Sequence, residues 1–267
     1  MTVITTYLIF LCITLIITST LFLVAMARRD NSIMDIAYGP TFAVATFGTV
    51  LVTDAIGTYP LIVATLISLW ATRLGLRILK KNWGKPEDAR YAAWRAAWME
   101  RGLVYFISRS YAQVFLLQGI IISIVALPAV IALSFPLPTV SLLGLIGVTI
   151  FFAGLITETA ADWQLDAFIA RKKAGTEPAT FMNQGLFRFS RRPNYFGESL
   201  IWWGLATTVL TLPFGFIALL SPLVITYIVT KITGPMLEKI FIEKYGAEYQ
   251  TYMKQTSYFI PLPPKRS

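Results

Sequence analysis

Long apolar runs separated by short polar breaks dominate this chain. Runs of about 20 apolar residues, the length that crosses the hydrocarbon core of a bilayer, occur at 3–27, 33–52, 60–79, 110–134 and 139–161. The first has no basic segment before it and no small-residue cleavage site after it, so it reads as a transmembrane helix and not as a signal peptide. A further apolar stretch, 200–230, is too long for one span, and Pro213-Phe214-Gly215 interrupts it where a proline cannot continue the helical hydrogen-bond ladder. The break predicts a hairpin of two short helices and seven spans in all. A kink within one tilted helix is the alternative.

Charge supplies the orientation. With seven spans and the N-terminus outside, the loops 28–32, 80–109, 162–198 and 231–267 face the cytoplasm with their adjoining helix ends, and all 23 Lys and Arg residues fall there. The opposite loops, 53–59, 135–138 and the turn around Pro213, carry none. The positive-inside rule demands this bias, so the formal net charge of +9 requires no nucleic-acid partner. The expected fold is all-α: one integral membrane bundle over residues 1–267 with seven transmembrane helices, N-terminus outside and C-terminus cytoplasmic. Its expected place is a bacterial inner membrane or the endoplasmic reticulum, in contact with membrane lipid. A hydrophobic share of 56%, a charged share of 14% and a mean hydropathy of +0.64 agree with lipid as the solvent.

Two absences narrow the chemistry. The single cysteine, Cys12, cannot build a disulfide framework or a cysteine metal site, and the lack of histidine removes the Ser-His-Asp triad, zinc-histidine sites and haem-histidine ligation. No metal site is expected. Catalysis must rest on carboxylates, tyrosines, arginines or a bound cofactor.

Ionisable groups inside spans are costly unless paired or hydrated, which makes each a candidate. Asp35 falls in the second span, and Glu158 and Asp162 fall near the end of the fifth. Glu158, Asp162 and Asp166 share a helical face and either pair with Arg171, Lys172 and Lys173 or with the third helix, or line a site. Asp35 and Tyr38, three apart, either point into one cavity or begin a helix at the interface. Arg73 and Arg77 have the spacing of snorkelling cations and equally of an anion site. The candidates Arg73, Arg77, Asp88, Arg90, Arg95, Asp162, Arg191, Arg192, Asn194 and Glu198 all belong to the basic side of the membrane.

The segment 183–204 reads Asn-Gln-Gly-Leu-Phe-Arg-Phe-Ser-Arg-Arg-Pro-Asn-Tyr-Phe-Gly-Glu-Ser-Leu-Ile-Trp-Trp-Gly. Pro193 fits a first helical turn, whose free amides beside Arg191 and Arg192 favour an anion. The turn Gly185-Leu186-Phe187 and the string Arg192-Pro193-Asn194-Tyr195-Phe196-Gly197-Glu198 resemble the C-terminal signature of the steroid 5-alpha-reductase superfamily, closest to its bacterial 5-alpha-reductase-like branch. The likeness extends to 154–168 around Asp162-Trp163-Gln164-Leu165, and to the tail from Gly234-Pro235 through Tyr249, Tyr252 and Phe259-Ile260-Pro261. It spans roughly residues 60–262.

The resemblance implies a reductase that transfers a hydride from NADPH, bound in the cytoplasmic half, to an activated C=C bond of a steroid-like or enone-like substrate. By motif position it assigns cofactor contacts to Asp162, Asn194, Tyr195 and Glu198, with Arg73, Arg77, Arg191 and Arg192 supplying charge for the phosphates. The steroid enzymes polarise the substrate carbonyl with a second-helix glutamate and a third-helix tyrosine. Here those places hold Asp35 and Trp70, and an indole donates a hydrogen bond without delivering a proton. Asp35 with Tyr38 is therefore the expected catalytic pair, and Trp70, Gln113 and Gln118 the expected substrate contacts. A related Arg-Pro-x-Tyr segment occurs in isoprenylcysteine carboxyl and phospholipid methyltransferases, which bind S-adenosylmethionine and usually carry histidine where this chain has Arg192. A transporter using the intramembrane acids as a proton relay is the third alternative.

Overall fold

The computed structural model describes residues 1–265; Arg266 and Ser267, the end of the tail expected in the cytoplasm, lie outside the described residues. The described chain is helical apart from turns and one isolated bridge. It folds as two compact units, residues 1–141 with 209–218, and residues 142–208 with 219 to the end of the described chain.

The first unit contains α1 (Val3–Arg28), α2 (Ile33–Thr53), α3 (Thr58–Asn82), α4 (Ala89–Met99), α5 (Leu103–Val125) and α6 (Leu127–Ser134). Thr2 caps α1 by accepting a hydrogen bond from Thr5 N at 3.2 Å, and Arg29 ends the helix in a left-handed conformation. Thr6, Phe10, Thr14 and Thr18 recur at four-residue spacing and form the buried face of α1. Small hydroxyl-bearing residues suit helix contacts in lipid, where the surrounding solvent is as apolar as leucine. All eight residues of α6 are buried, so this short helix is packed inside its unit.

The second unit contains α7 (Leu142–Lys173), α8 (Pro193–Val209) and most of α9 (Gly215–Gln255). Helices α7 and α8 interlock through glycines at seven-residue spacing. A Cβ on Gly154 would stand 2.6 Å from Ile201 N, one on Gly197 2.5 Å from Glu158 N, and one on Gly204 2.4 Å from Phe151 N. The two backbones touch there, and any side chain would push them apart. Along α9, a π-turn at Ile228–Thr233 and a reversal at Gly246 (φ 57°) break the regular ladder.

Six helices among the described residues are long and apolar enough to cross a membrane: α1, α2, α3, α5, α7 and α9. This corrects the expected seven. The chain does break near Pro213, with α8 ending at Val209 and α9 starting at Gly215. But α8 has 17 residues and begins at Pro193 in the polar segment, so it reaches about 26 Å at 1.5 Å per residue, short of a roughly 30 Å hydrocarbon core. An odd number of spans had placed the two chain ends on opposite sides of the membrane, and six removes that argument. The protein is a multi-spanning integral membrane protein, consistent with an inner-membrane or endoplasmic-reticulum setting.

Candidate functional site

In the second unit the glycine interlock sets the register of the candidate residues. With Gly197 against Glu158, one further turn along α7 brings Asp162 opposite Asn194, whose Nδ2 donates to Asp162 Oδ1 at 3.4 Å. Glu158 and Asp162 are both buried. The Tyr195 hydroxyl lies within electrostatic reach of Arg192, Glu198 and Asp162. The turn ahead of α8 is seated on α7: Gln164 Oε1 accepts from Leu186 N at 2.8 Å, and a Cβ on Gly185 would meet that oxygen at 2.3 Å. Gly185 also has φ 56°, so glycine answers both the left-handed backbone and the close approach.

Arg191 and Arg192, adjacent in sequence, have opposite surroundings. Arg191 spends its donors within the protein: Nε and Nη2 grip Glu238 at 3.0 and 2.9 Å, and Nη1 reaches the carbonyls of Met253 and Thr256, each at 2.8 Å. Tyr249 completes this lock by donating to Glu238 Oε1 at 3.0 Å. The tail is fastened to the same segment by Arg191 N to Ser257 O (2.8 Å), Ser190 Oγ to Phe259 O (2.7 Å) and Leu262 N to Phe189 O (3.0 Å). Burial pushes the Tyr258 phenol above its ordinary range, and its neutral hydroxyl donates to Thr230 O at 3.0 Å. The guanidinium of Arg192 instead lies over the rings of Phe241 (5.0 Å) and Tyr195 (5.9 Å). Arg192 is 8% exposed, and its Nε and Nη2 have no hydrogen-bond partner among the described residues. A cleft of 510 Å³, within the size range of ligand sites, is lined by Thr230, Lys231, Pro235, Glu238, Lys239, Ile242, Glu243 and Tyr258.

In the first unit Asp35 stands in the opening turn of α2 and is held by α4. Arg90 Nη2 donates to Asp35 Oδ2 at 2.9 Å and Tyr91 Oη donates to Oδ1 at 2.6 Å. Gln118, on α5, lies close enough to the Tyr91 hydroxyl to influence it. Two residues singled out in the sequence, Asp35 and Gln118, thus flank one that was not. Tyr91 is 4% exposed, and burial followed by the charge of Asp35 raises its phenol pKa, which keeps it a neutral donor. Burial opposes ionisation of Asp88, yet hydrogen bonds from the side chain and backbone of Arg90 hold its carboxyl below the usual range. Nearby, Arg95 grips Glu87 through two 2.9 Å bonds, and Glu87 Oε1 accepts from Asn31 N at 2.7 Å.

The other candidates of this unit are placed as follows. Tyr38 packs edge-on to Phe42 (5.3 Å), and Phe42 edge-on to the fully buried Trp70 (5.3 Å), a row of three rings. Arg73 and Arg77 follow Trp70 on the same face of α3. Gln113 accepts from Arg109 Nη2 at 2.7 Å. Tyr91 had a signal in the sequence: Asp88 precedes aromatic residues at 91, 94 and 98, the pattern of a capped amphipathic helix, and Asp88 indeed caps Arg90 N at 3.0 Å.

No curated protein and no solved structure matches this chain. A family model described as "Protein of unknown function (DUF1295)" matches residues 21–256, which covers both units apart from the N-terminal part of α1 and the end of the tail. By that match, and with its all-helical membrane architecture, the chain belongs to the DUF1295 family.

Proposed function

We propose that this protein is a membrane-embedded reductase that uses NADPH to reduce an activated C=C bond of a lipid-soluble substrate. Its architecture is consistent with the 5-alpha-reductase-like fold class in general. The observation that carries the finer reading is the buried guanidinium of Arg192. Arginine stays charged at all physiological pH, and a buried cation with unfilled donors is unfavourable by several kcal/mol as an order of magnitude. Its vacant Nε and Nη2 form the same side-on edge with which Arg191 grips Glu238. A phosphate oxygen pair matches that edge, which supports a phosphate-bearing cofactor at this place.

On this reading Arg192 holds a phosphate, and Asp162, Asn194, Tyr195 and Glu198 supply hydrogen bonds along the α7–α8 crossing. Arg191 braces the segment through Glu238. Arg73 and Arg77 belong to the other unit, and the proposal does not depend on them. NADPH, when bound, supplies a hydride to one carbon of the double bond, and the balancing proton goes to the other carbon. The first unit holds a polar group of its own, in which Asp35 orients the Tyr91 hydroxyl that burial keeps protonated, with Tyr38 one helical turn further along α2. The rings of Tyr38, Phe42 and Trp70 make an apolar row in that same unit.

The test is NADPH fluorescence titration of detergent-solubilised wild type, Asn194→Ala and Glu198→Gln. Each substitution is expected to weaken binding by roughly 1–3 kcal/mol, the usual loss for a charge-assisted or buried hydrogen bond. Unchanged affinity in both variants places the cofactor elsewhere, and binding of S-adenosylmethionine in place of NADPH favours a methyltransferase.

A further inference from the structure

The last turn of α3 and the turn that follows it carry three lysines within six residues, Lys80, Lys81 and Lys85, around Trp83 and Gly84. All three lysines are exposed, and Trp83 is 76% exposed. Gly84 turns the chain at φ 69°, and the direction its side chain would take opens on empty space. The arginines that follow have partners within the protein: Arg90 with Asp35 and Asp88, Arg95 with Glu87, Arg101 with the Tyr105 hydroxyl, Arg109 with Gln113. The lysines are engaged less. Among the described residues none of the three forms an ion pair: Lys81 contributes only at longer range to the field around Asp88, and Lys85 Nζ is bonded to the backbone carbonyl of Lys81.

The position narrows what such a turn meets. It closes α3, a helix apolar enough to cross the bilayer that ends at Asn82, so its side chains emerge at headgroup level. An exposed indole is the residue type that anchors at that depth, and lysines at a helix end extend their ammonium groups to the lipid phosphates. We propose that the Lys80–Lys85 turn is a docking site for anionic phospholipid headgroups of the leaflet into which it emerges. Lysines near an anionic leaflet each contribute roughly a fivefold preference, so the three together favour anionic over zwitterionic lipid by about a hundredfold. The attraction acts within a Debye length, about 8 Å at physiological salt, so it is salt-sensitive. This inference stands apart from the reductase reading, since it uses none of the residues assigned there.

The experiment is native mass spectrometry of the full-length protein released from nanodiscs holding equal amounts of phosphatidylglycerol and phosphatidylcholine. Wild type should retain phosphatidylglycerol selectively. The triple variant Lys80→Ala, Lys81→Ala, Lys85→Ala should lose at least tenfold of that selectivity while unfolding at the wild-type temperature in phosphatidylcholine alone. High salt should reduce the selectivity of wild type, which tests the idea without any substitution. Equal retention of the two lipids by wild type, or undiminished selectivity in the triple variant, overturns the proposal. So does displacement of the lipid by inorganic pyrophosphate or NADPH, which would mark the turn as a site for soluble phosphates.

Discussion

Replacing Gly197 by alanine tests how the glycine interlock holds the candidate site together. The added Cβ would stand 2.5 Å from Glu158 N, 2.8 Å from Glu158 Cβ and 2.9 Å from Glu158 Cα. Non-bonded carbons rest at about 3.5–4.0 Å, so α7 and α8 must part by on the order of 1 Å at their crossing. Overpacking of this kind costs about 1–3 kcal/mol, while alanine in a helix regains roughly 1 kcal/mol over glycine, so a net loss reports the steric term. The same separation stretches the Asn194–Asp162 hydrogen bond, already 3.4 Å long, out of bonding range. Unfolding in mild detergent should therefore show a net loss of up to about 2 kcal/mol, accompanied by weaker NADPH binding. Gly48→Ala is the control, because its Cβ meets only the movable Ile13 side chain, at 3.3 and 3.4 Å. If Gly197→Ala and Gly48→Ala unfold together with wild type, the interlock does not set the register of the site.

Other outcomes follow from the same geometry. Glu238→Ala removes one partner of a buried bidentate ion pair and strands Arg191, so thermal unfolding should register a loss of about 3–5 kcal/mol; a change below about 1 kcal/mol would contradict the lock. Tyr91→Phe keeps the ring and removes the 2.6 Å donor to Asp35, which should cost about 1.5–3 kcal/mol in thermal unfolding. Tyr91 also gives alkaline stability a definite sign. Its folded pKa is raised above the ordinary 10.0, so its contribution is intact below that pH and is lost as pH rises through the folded value. Circular dichroism above about pH 10 should show Tyr91→Phe losing less stability with pH than wild type does, and parallel losses would refute the assignment.

How far the fold was legible depended on whether a segment's role showed in hydropathy. The first three spans, read as 3–27, 33–52 and 60–79, match α1, α2 and α3 closely because a long uncharged run in lipid has few alternatives to a helix. The stretch 200–230 misled because its apolar residues belong partly to α8, a helix that starts in the polar segment and is too short to span. The stretch 80–109 read as a polar connection because Arg90 and Arg95 interrupt the aromatic positions of α4, which hid Tyr91. The separate roles of Arg191 and Arg192 had no signature at all. Adjacent residues of one type point different ways, and only tertiary structure shows that Glu238 waits for the first while the second keeps open donors.

Calorimetric titration of NADPH into purified wild type and Arg192→Leu tests the central claim most directly. Leucine keeps an apolar body over Phe241 and removes the charge, so the variant is expected to fold while binding NADPH about 10- to 100-fold more weakly, the loss of a charge-assisted contact. Wild type that takes up no NADPH, or Arg192→Leu that binds it as wild type does, contradicts the account.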